Sequence, residues 1–207
     1  LSLSVFTLVL VVLLWRWEGG VRGEIDRVAQ SLEAVASETA AGIDVEAHET
    51  IRTAQDSTSP QFLQIRSHLR EVLERYGIQS PIYTLRFVDG GKATEFVVMT
   101  NPEPFVGDSY VVQEPMRPVL EQGSRSRTAL YGDSHGRWIS GYAPLKTGDG
   151  TVMGLVEVDR PGGELHAELW QARVFALLLA LLCALVAALA DYLVRQEVGP
   201  LASIVRL

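Results

Sequence analysis

The sequence brings an aspartate, a serine and a histidine together at Asp133-Ser134-His135, the three residue types of a hydrolase triad. Such triads are assembled from side chains that converge in space, and neighbours along the chain rarely point at one spot. No Gly-x-Ser-x-Gly turn, which would expose a nucleophilic serine, accompanies these residues. We therefore interpret this stretch as a polar turn between two strands.

A second group of candidate ligands includes Asp44 and His48, which could share a helix face and bind a metal ion with Glu49 or His68 nearby. Helix capping and a solvated loop explain the same residues without a ligand. The single cysteine, Cys183, excludes an internal disulfide and a cysteine-based zinc site. The chain also lacks a His-Glu-x-x-His motif, a phosphate-binding loop and a kinase signature, so we predict no catalytic residue, metal or cofactor.

Aromatic and hydroxyl side chains alternate along a predicted strand at 137–145. Because the side chains of a strand point alternately to its two faces, Trp138, Ser140 and Tyr142 share one face. Flat aromatic walls with a few polar anchors are typical of small-molecule sites. Two interpretations stay open: this face lines a ligand pocket, or Trp138 and Tyr142 fill the core.

Two apolar runs enclose the rest of the chain. Residues 174–190 carry no charge, and at about 1.5 Å per residue the run reaches the roughly 30 Å thickness of a bilayer core. We predict a transmembrane helix over 172–194, and a second one, trimmed at its start, over 1–17. A signal peptide at 1–17 would need a basic segment and a small-x-small cleavage site. Tryptophans flank both runs and could occupy one interfacial belt.

The segment between the runs, 18–171, is predicted to be one domain outside the cytoplasm, long enough to have its own core. It contains 23 acidic and 14 basic residues, a net charge of −9. A surface this negative repels phosphate backbones, which excludes nucleic acid as a partner.

In the first part of this domain, the apolar residues have the spacing of helices. Apolar residues three and four apart predict a long helix over 24–43, whose apolar stripe could pack on the domain or on a second copy of the chain. A loop is predicted over 42–58, followed by a helix that begins after Ser59 with Pro60 and ends at Gly77. The predicted apolar face of this second helix comprises Phe62, Ile65, Leu69, Val72, Leu73 and Tyr76.

From Pro81 the spacing of apolar residues changes to that of strands. A short helix is predicted at 117–122 and a hairpin turn at Asp89-Gly90-Gly91. The predicted strands are 82–88, 94–100, 127–131, 137–145 and 152–159. Helices followed by an antiparallel sheet of about five strands indicate an α+β fold.

This order of elements resembles bacterial transmembrane sensors with a Cache, or extracytoplasmic PAS-like, domain. The most specific stretch is 136–159, where an aromatic strand ends in a proline, turns at an Asp-Gly and returns as a strand rich in Gly and Val. Gly199-Pro200-Leu201 followed by Ile204 is similar to the opening of a HAMP linker. The resemblance implies that 195–207 begins a cytoplasmic linker, in which Pro200 starts a new helix and Pro200, Leu201 and Ile204 transmit the signal.

The same resemblance implies that the concave sheet face and the loops above it hold a small ligand. Tyr83 has the opposite parity to Thr84 and is interpreted as core packing. An anionic ligand would need Arg86 or Arg117, against the negative charge of the domain. Since the family's best-known amino-acid-binding signature is not found here, no particular ligand is implied. The candidate ligand-binding residues are Thr84, Arg86, Tyr110, Arg117, Trp138, Ser140, Tyr142 and Asp159.

The predicted function is therefore that of a sensor in the bacterial inner membrane, crossing it twice and acting as a homodimer. Its expected partners are a small molecule or a periplasmic protein, together with membrane lipid. The expected output domain beyond Leu207 is a histidine kinase, while cyclases, chemoreceptors and phosphatases stay open. A membrane-tethered adhesion or assembly module is the alternative from another class. An ectoenzyme would need a catalytic group that we do not find.

Overall fold

The computed structural model describes residues 2–133 and 135–204. Two long helices, α1 (Ser2–Ala41) and α5 (Gly163–Ile204), lie at the ends of this part of the chain. Residues Glu24–Gly163 form one compact unit, and the helical segments on either side of it form another. The elements between the long helices are α2 (Val45–Glu49), α3 (Pro60–Tyr76), β1 (Ile82–Val88), β2 (Ala93–Met99), β3 (Ser109–Tyr110), α4 (Arg117–Gln122), β4 (Ser126–Arg127), β5 (Tyr131–Asp133), β6 (Gly136–Lys146) and β7 (Val152–Pro161).

Helix α1 joins two segments that we predicted as separate helices, 1–17 and 24–43. It runs without a break from Ser2 to Ala41. Three glycines between the segments weaken a helix but, unlike proline, do not remove its hydrogen bonds. Within the compact unit Leu32 and Val35 are buried, so the apolar stripe packs on its own domain.

Helix α3 confirms the predicted bounds and caps. The Ser59 hydroxyl accepts a hydrogen bond from the Phe62 amide at 3.2 Å, and Gly77 ends the helix with φ of 61°. Tyr76 was wrongly placed on the apolar face, because its side chain is exposed and donates to Glu38 instead. The predicted loop at 42–58 contains α2 and a 3₁₀ turn at Ala54–Thr58.

The described residues form one antiparallel sheet of seven strands, in the order β3-β2-β1-β7-β6-β4, with β5 also paired to β6. The α+β class is as predicted, but the expectation of about five strands was too low. The predicted strand 127–131 is two short strands, β4 and β5. Thr128 still donates to the Ser140 carbonyl at 2.9 Å, but the chain bends at Leu130 and interrupts the ladder.

The central strands present two different faces. One, which we call the helix face, carries Thr84, Arg86 and Gly141 and is covered by α1. A Cβ atom on Gly141 would lie 2.3 Å from the backbone of Leu32, so only glycine allows this close approach. The other, which we call the tyrosine face, carries Tyr83, Leu85, Phe96, Tyr110, Tyr131, Ser140, Tyr142, Leu155, Glu157 and Asp159.

Helix α5 contains the apolar run predicted to span a membrane. Among the described residues, Arg173–Val194 is the one segment long and apolar enough to cross a bilayer, with a mean hydropathy of 2.6. The predicted first span at 1–17 stays a prediction. Pro200 lies inside α5 rather than at the start of a new helix. Ser134, part of the triad-like stretch, lies outside the described residues.

Candidate functional site

The antiparallel register brings acidic and aromatic residues into rows on the tyrosine face. Glu157 in β7 lies opposite Tyr142 in β6 on one side and opposite Tyr83 in β1 on the other. Asp159 lies opposite Ser140 one row along. Directly opposed residues in such pairs have Cβ atoms about 5 Å apart, so these side chains share one region.

Aromatic rings form a continuous wall beside this region. The ring of Phe96 packs edge-on against Tyr83, with centroids 5.4 Å apart, and lies 5.0 Å from the Tyr110 ring. Phe105 closes the end of the wall at 4.8 Å from Phe96. The amide of Gln113 donates to the Tyr110 hydroxyl at 2.5 Å, which fixes that ring. The wall therefore belongs to β1, β2, β3 and the loops that follow β2 and β3.

Part of the tyrosine face is closed by hydrophobic packing. Met116 and Val119, from the α4 region, pack with Leu85, Leu155 and Tyr142 in a fully buried cluster. These apolar contacts cover one end of the face and hold the Tyr142 ring in place. The polar groups of Glu157 and Asp159 lie along the strands beyond that cluster.

Glu157 and Asp159 are two acids in an unfavourable environment for charge. Glu157 is only 2% exposed. Burial, followed by the nearby charge of Asp159, raises the pKa of Glu157 well above its usual value. Burial, with a smaller contribution from Asp133, raises the pKa of Asp159 to about 6. Ion pairs would relieve this cost, but among the described residues no lysine, arginine or histidine pairs with either carboxylate.

Two polar atoms of this region lack hydrogen-bond partners in the described part of the chain: the Tyr142 hydroxyl and Oδ1 of Asp159. The neighbouring Tyr131 hydroxyl is satisfied, since it lies 2.9 Å from the Ser140 hydroxyl. Burial raises the pKa of Tyr83 and of Tyr131 to about 12 and that of Tyr110 and Tyr142 as well. All four phenols therefore stay protonated at neutral pH. The site combines aromatic faces, hydroxyl groups and uncompensated carboxyl groups.

No protein-family model and no curated protein matches this sequence. The structure is similar to the sensor domain of the histidine kinase DctB from V. cholerae, with a TM-score of 0.53 and 14% identity over 80% of this chain. The described fold is therefore similar to that of this solved domain. This chain spans 59% of the DctB chain, so the match includes only part of that protein.

Two further solved structures are similar at lower TM-scores. The sensor domain of DcuS from E. coli matches 73% of this chain with 11% identity and a TM-score of 0.44, and 96% of its own chain is covered. The ligand-binding domain of the Campylobacter jejuni chemoreceptor Tlp3, in complex with 4-methylisoleucine, matches 71% of this chain at 11% identity and a TM-score of 0.44, over 56% of its own length.

Five of the predicted ligand-binding residues lie together on the tyrosine face. Trp138 lies at its edge, where the indole nitrogen donates to Asp133 at 3.0 Å. Strand alternation predicted the common face of Trp138, Ser140 and Tyr142, whereas Tyr110 and Asp159 were included because of the resemblance to Cache domains. The five are Tyr110, Trp138, Ser140, Tyr142 and Asp159.

The structure does not bring the other three predicted residues to this face. Thr84 and Arg86 lie on the helix face, where the Thr84 hydroxyl is 3.0 Å from Nε2 of His48. Arg86 donates to the Ile51 carbonyl at 2.8 Å and pairs with Glu95 at 2.9 Å.

Arg117 is also outside the site. Its side chain is exposed and pairs with Glu114 at 2.7 Å and Glu121 at 3.8 Å, both on neighbouring turns. Neither arginine proposed for an anionic ligand is therefore available at the tyrosine face.

Sequence reasoning missed Glu157, Tyr83 and Tyr131. Glu157 had a visible signal, since it alternates with Asp159 in a strand that is otherwise rich in Val and Gly. Tyr83 was interpreted as packing because Thr84 was assigned to the ligand side. The register reverses that assignment, since Tyr83 pairs with Glu157.

The candidate metal ligands have structural roles. The Asp44 carboxylate accepts from the Ala47 amide at 3.0 Å and caps α2, while His48 is buried. Burial lowers the pKa of His48, so the ring is neutral at physiological pH. The described residues contain no group of three or more His, Cys, Asp or Glu arranged to hold a metal ion.

Proposed function

We propose that this chain is the sensor and transmembrane part of a bacterial signal-transduction receptor. Residues 18–171 lie outside the cytoplasm between two spans of the inner membrane, and the receptor acts as a homodimer. Binding of a small molecule at the tyrosine face alters the last strands of the sheet. Helix α5 passes that change to a HAMP-like linker and an output domain, a histidine kinase being the commonest output in the resembled class.

One observation carries this proposal: the strand that presents the two buried carboxyl groups continues almost directly into the apolar helix. β7 ends at Pro161 and α5 begins at Gly163, so a single residue, Gly162, separates them. A rotation or shift of β7 on ligand binding therefore reaches α5 without a flexible linker to absorb it. Two such arrangements of β7, with different ligand affinity, are what signalling requires.

Gly162 is tightly held between strand and helix. It is buried, and its amide donates to the Arg137 carbonyl at 2.7 Å. A Cβ atom at this position would lie 2.2 Å from a methyl group of Leu130. Packing this close transmits displacement rather than absorbing it. The junction is thus a suitable place to perturb transmission without touching the tyrosine face.

The test is a chimeric receptor in which residues 1–207 replace the sensor and membrane segments of a kinase with a transcriptional reporter. Gly162→Val should change the basal reporter output several-fold, because the new side chain fits only if Leu130 or the junction between β7 and α5 shifts. Gly148→Val is the matched control, since a Cβ there meets nothing within 4 Å and its backbone is not left-handed. Equal output from the Gly162→Val and Gly148→Val chimeras, at equal membrane levels, would contradict the proposed transmission.

Membrane topology is tested separately with cysteine labelling. Cys183 is the only cysteine, so Cys183→Ser provides a cysteine-free background. A membrane-impermeant maleimide added to intact cells should label Gly148→Cys, in the exposed turn between β6 and β7, and should leave Gln196→Cys unlabelled until the cells are lysed. Labelling with the opposite pattern would place the domain in the cytoplasm.

A further inference from the structure

We propose that the tyrosine face binds a small organic ammonium ion, held by the carboxyl groups of Asp159 and Glu157 and enclosed by tyrosine rings. This inference rests on the proposed sensor function and names the ligand class of the same site.

The acids of the tyrosine face have no positive charge beside them among the described residues. A buried carboxylate is normally paired or hydrogen-bonded, because removing it from water otherwise costs several kcal/mol. Glu157 is 2% exposed and Oδ1 of Asp159 has no partner, and no basic side chain of the described residues pairs with either. A ligand cation would supply the charge that the described chain does not.

Aromatic and hydroxyl groups are arranged around the acids. The Tyr142 side chain is fully buried, opposite Glu157, and its hydroxyl is unsatisfied, so it can accept an N–H from a ligand. Tyr83 lies opposite Glu157, and the Tyr83 and Tyr110 rings both pack against Phe96, so the aromatic wall adjoins the acids. The faces of aromatic rings attract cations. Carboxylates combined with several aromatic rings suit an organic cation better than a hydrated inorganic ion.

Other classes of ligand find no suitable partners among the described residues of the site. A metal ion would need three or more coordinating acids or histidines, and the described residues provide no such group. An anion or the carboxylate of an amino acid would need a basic partner, but Arg86 is bound on the helix face and Arg117 is exposed beside Glu114. An amine should therefore bind more tightly than the amino acid from which it derives by loss of the carboxyl group.

The charge state of the acids fits a monovalent cation. Burial raises the pKa of Asp159 to about 6, so this carboxyl group is mostly ionised at neutral pH and a monovalent cation would balance its charge. Below about pH 6 the ionised fraction of Asp159, and with it the affinity, should fall about tenfold per pH unit. The titratable groups that surround Asp159 are Glu157, Asp133, Tyr83, Tyr110, Tyr131 and Tyr142.

The test is calorimetric titration of the 207-residue chain in lipid nanodiscs at neutral pH. The cationic probes are isobutylammonium and choline, and each has a neutral isostere, isobutanol and dimethylbutanol. L-Valine tests a zwitterion that differs from isobutylammonium by the carboxyl group, and calcium chloride tests a metal ion. We expect at least one cation to bind about tenfold or more tightly than its neutral isostere and than L-valine.

Variants locate the binding. Asp159→Asn keeps the side-chain shape and should weaken cation binding about tenfold or more, whereas Glu74→Gln removes one exposed carboxylate of α3 and should change nothing. Tyr83→Leu should weaken binding several-fold and Tyr83→Phe should retain it, since the ring face is what the cation contacts.

Four results would overturn the inference: no binding of either cation, equal binding of the neutral isosteres, tighter binding of calcium or L-valine, or cation binding unaffected by Asp159→Asn. The chimera with Gly162→Val needs no ligand, so its outcome is independent. If Gly162→Val changes the output of the chimera but no cation binds, the sensor proposal stands and the cation proposal fails. If a cation binds but Gly162→Val leaves the output unchanged, the cation proposal stands and the proposed transmission fails.

Discussion

The two faces of one sheet treat buried polar groups in opposite ways. On the helix face, the Thr84 hydroxyl accepts from the Val98 amide at 2.9 Å, and Arg86 donates to the Ile51 carbonyl at 2.8 Å. On the tyrosine face, the Tyr142 hydroxyl and Oδ1 of Asp159 have no partner among the described residues. Strands β1, β6 and β7 form both faces, so the difference lies in which side chains point to each face.

The helix face also contains buried polar atoms without hydrogen bonds, but their side chains make other polar contacts. Nδ1 of His48 and Nε of Arg86 also lack hydrogen bonds, but each of those side chains is held by another of its atoms. The hydroxyl is the only polar group of the Tyr142 side chain, and it is unsatisfied. A satisfied group adds to stability, whereas an unsatisfied one lowers it until something binds. We infer that the helix face maintains the fold and the tyrosine face is adapted to a ligand.

The largest expected effect is on the helix face, at Gly141. Gly141→Ala places a Cβ atom 2.3 Å from the backbone of α1, which must move away from the sheet. The free energy of unfolding should fall by about 3 kcal/mol. Denaturant unfolding of segment 24–163 measures it, because Trp138 is the only tryptophan there. Gly148→Ala is the control, and an equal loss of stability in both variants would show that α1 does not pack closely on β6.

A somewhat smaller loss is expected at Thr84. Thr84→Val keeps the shape of the side chain but removes the acceptor of the Val98 amide and the partner of His48, both buried. The variant should lose about 2 kcal/mol of unfolding free energy, by the same fluorescence assay. Thr58→Val, at an exposed position, should change stability by less than about 0.5 kcal/mol. If both threonine variants were equally stable, the polar groups of the helix face would not stabilise the fold.

These residues also show what the sequence can and cannot predict. The bounds of α3 follow from Ser59, Pro60 and Gly77, because capping is local and depends on residues a few positions apart. The joining of 1–17 to 24–43 in α1 did not follow, since glycines weaken a helix without deciding where it ends.

The candidate site shows the same limit more clearly. Alternation places Trp138, Ser140 and Tyr142 on one face, and this needs only the strand itself. Which residues of β1 join them depends on the register between β1 and β7, and a shift of one residue exchanges the two faces. The observed pair is Tyr83 with Glu157, so the expectation that Thr84 and Arg86 share a face with Tyr142 was wrong.

At Asp159, on the tyrosine face, the expected effect has the opposite sign. Asp159→Asn removes a carboxylate that burial destabilises, so the variant should be more stable at neutral pH by about 2 kcal/mol. The folded state holds the Asp159 proton more tightly than the unfolded state does. Its contribution to stability is therefore complete below pH 3.8, the ordinary pKa, and is lost as the pH rises to about 6.

The measurement is the free energy of unfolding of segment 24–163 at a series of pH values. Asp159→Asn should gain least stability near the acid end of the series and most above about pH 6. Asp149→Asn is the matched control with the opposite sign. Hydrogen bonds from Thr147 and Thr151 lower the pKa of Asp149, so this variant should lose stability at neutral pH. A loss of stability in both variants at neutral pH would mean that Asp159 has a favourable partner in the folded domain.

The smallest effect separates two hydroxyl groups within the tyrosine face itself. Tyr142→Phe removes an unsatisfied buried hydroxyl, and should leave stability unchanged or raise it by up to about 1 kcal/mol. Tyr131→Phe removes a hydroxyl that lies 2.9 Å from the Ser140 hydroxyl, and should lower stability by about 1 kcal/mol. Both are measured by unfolding of segment 24–163 without ligand. A loss of stability in Tyr142→Phe equal to that in Tyr131→Phe would mean that the Tyr142 hydroxyl is satisfied before any ligand binds.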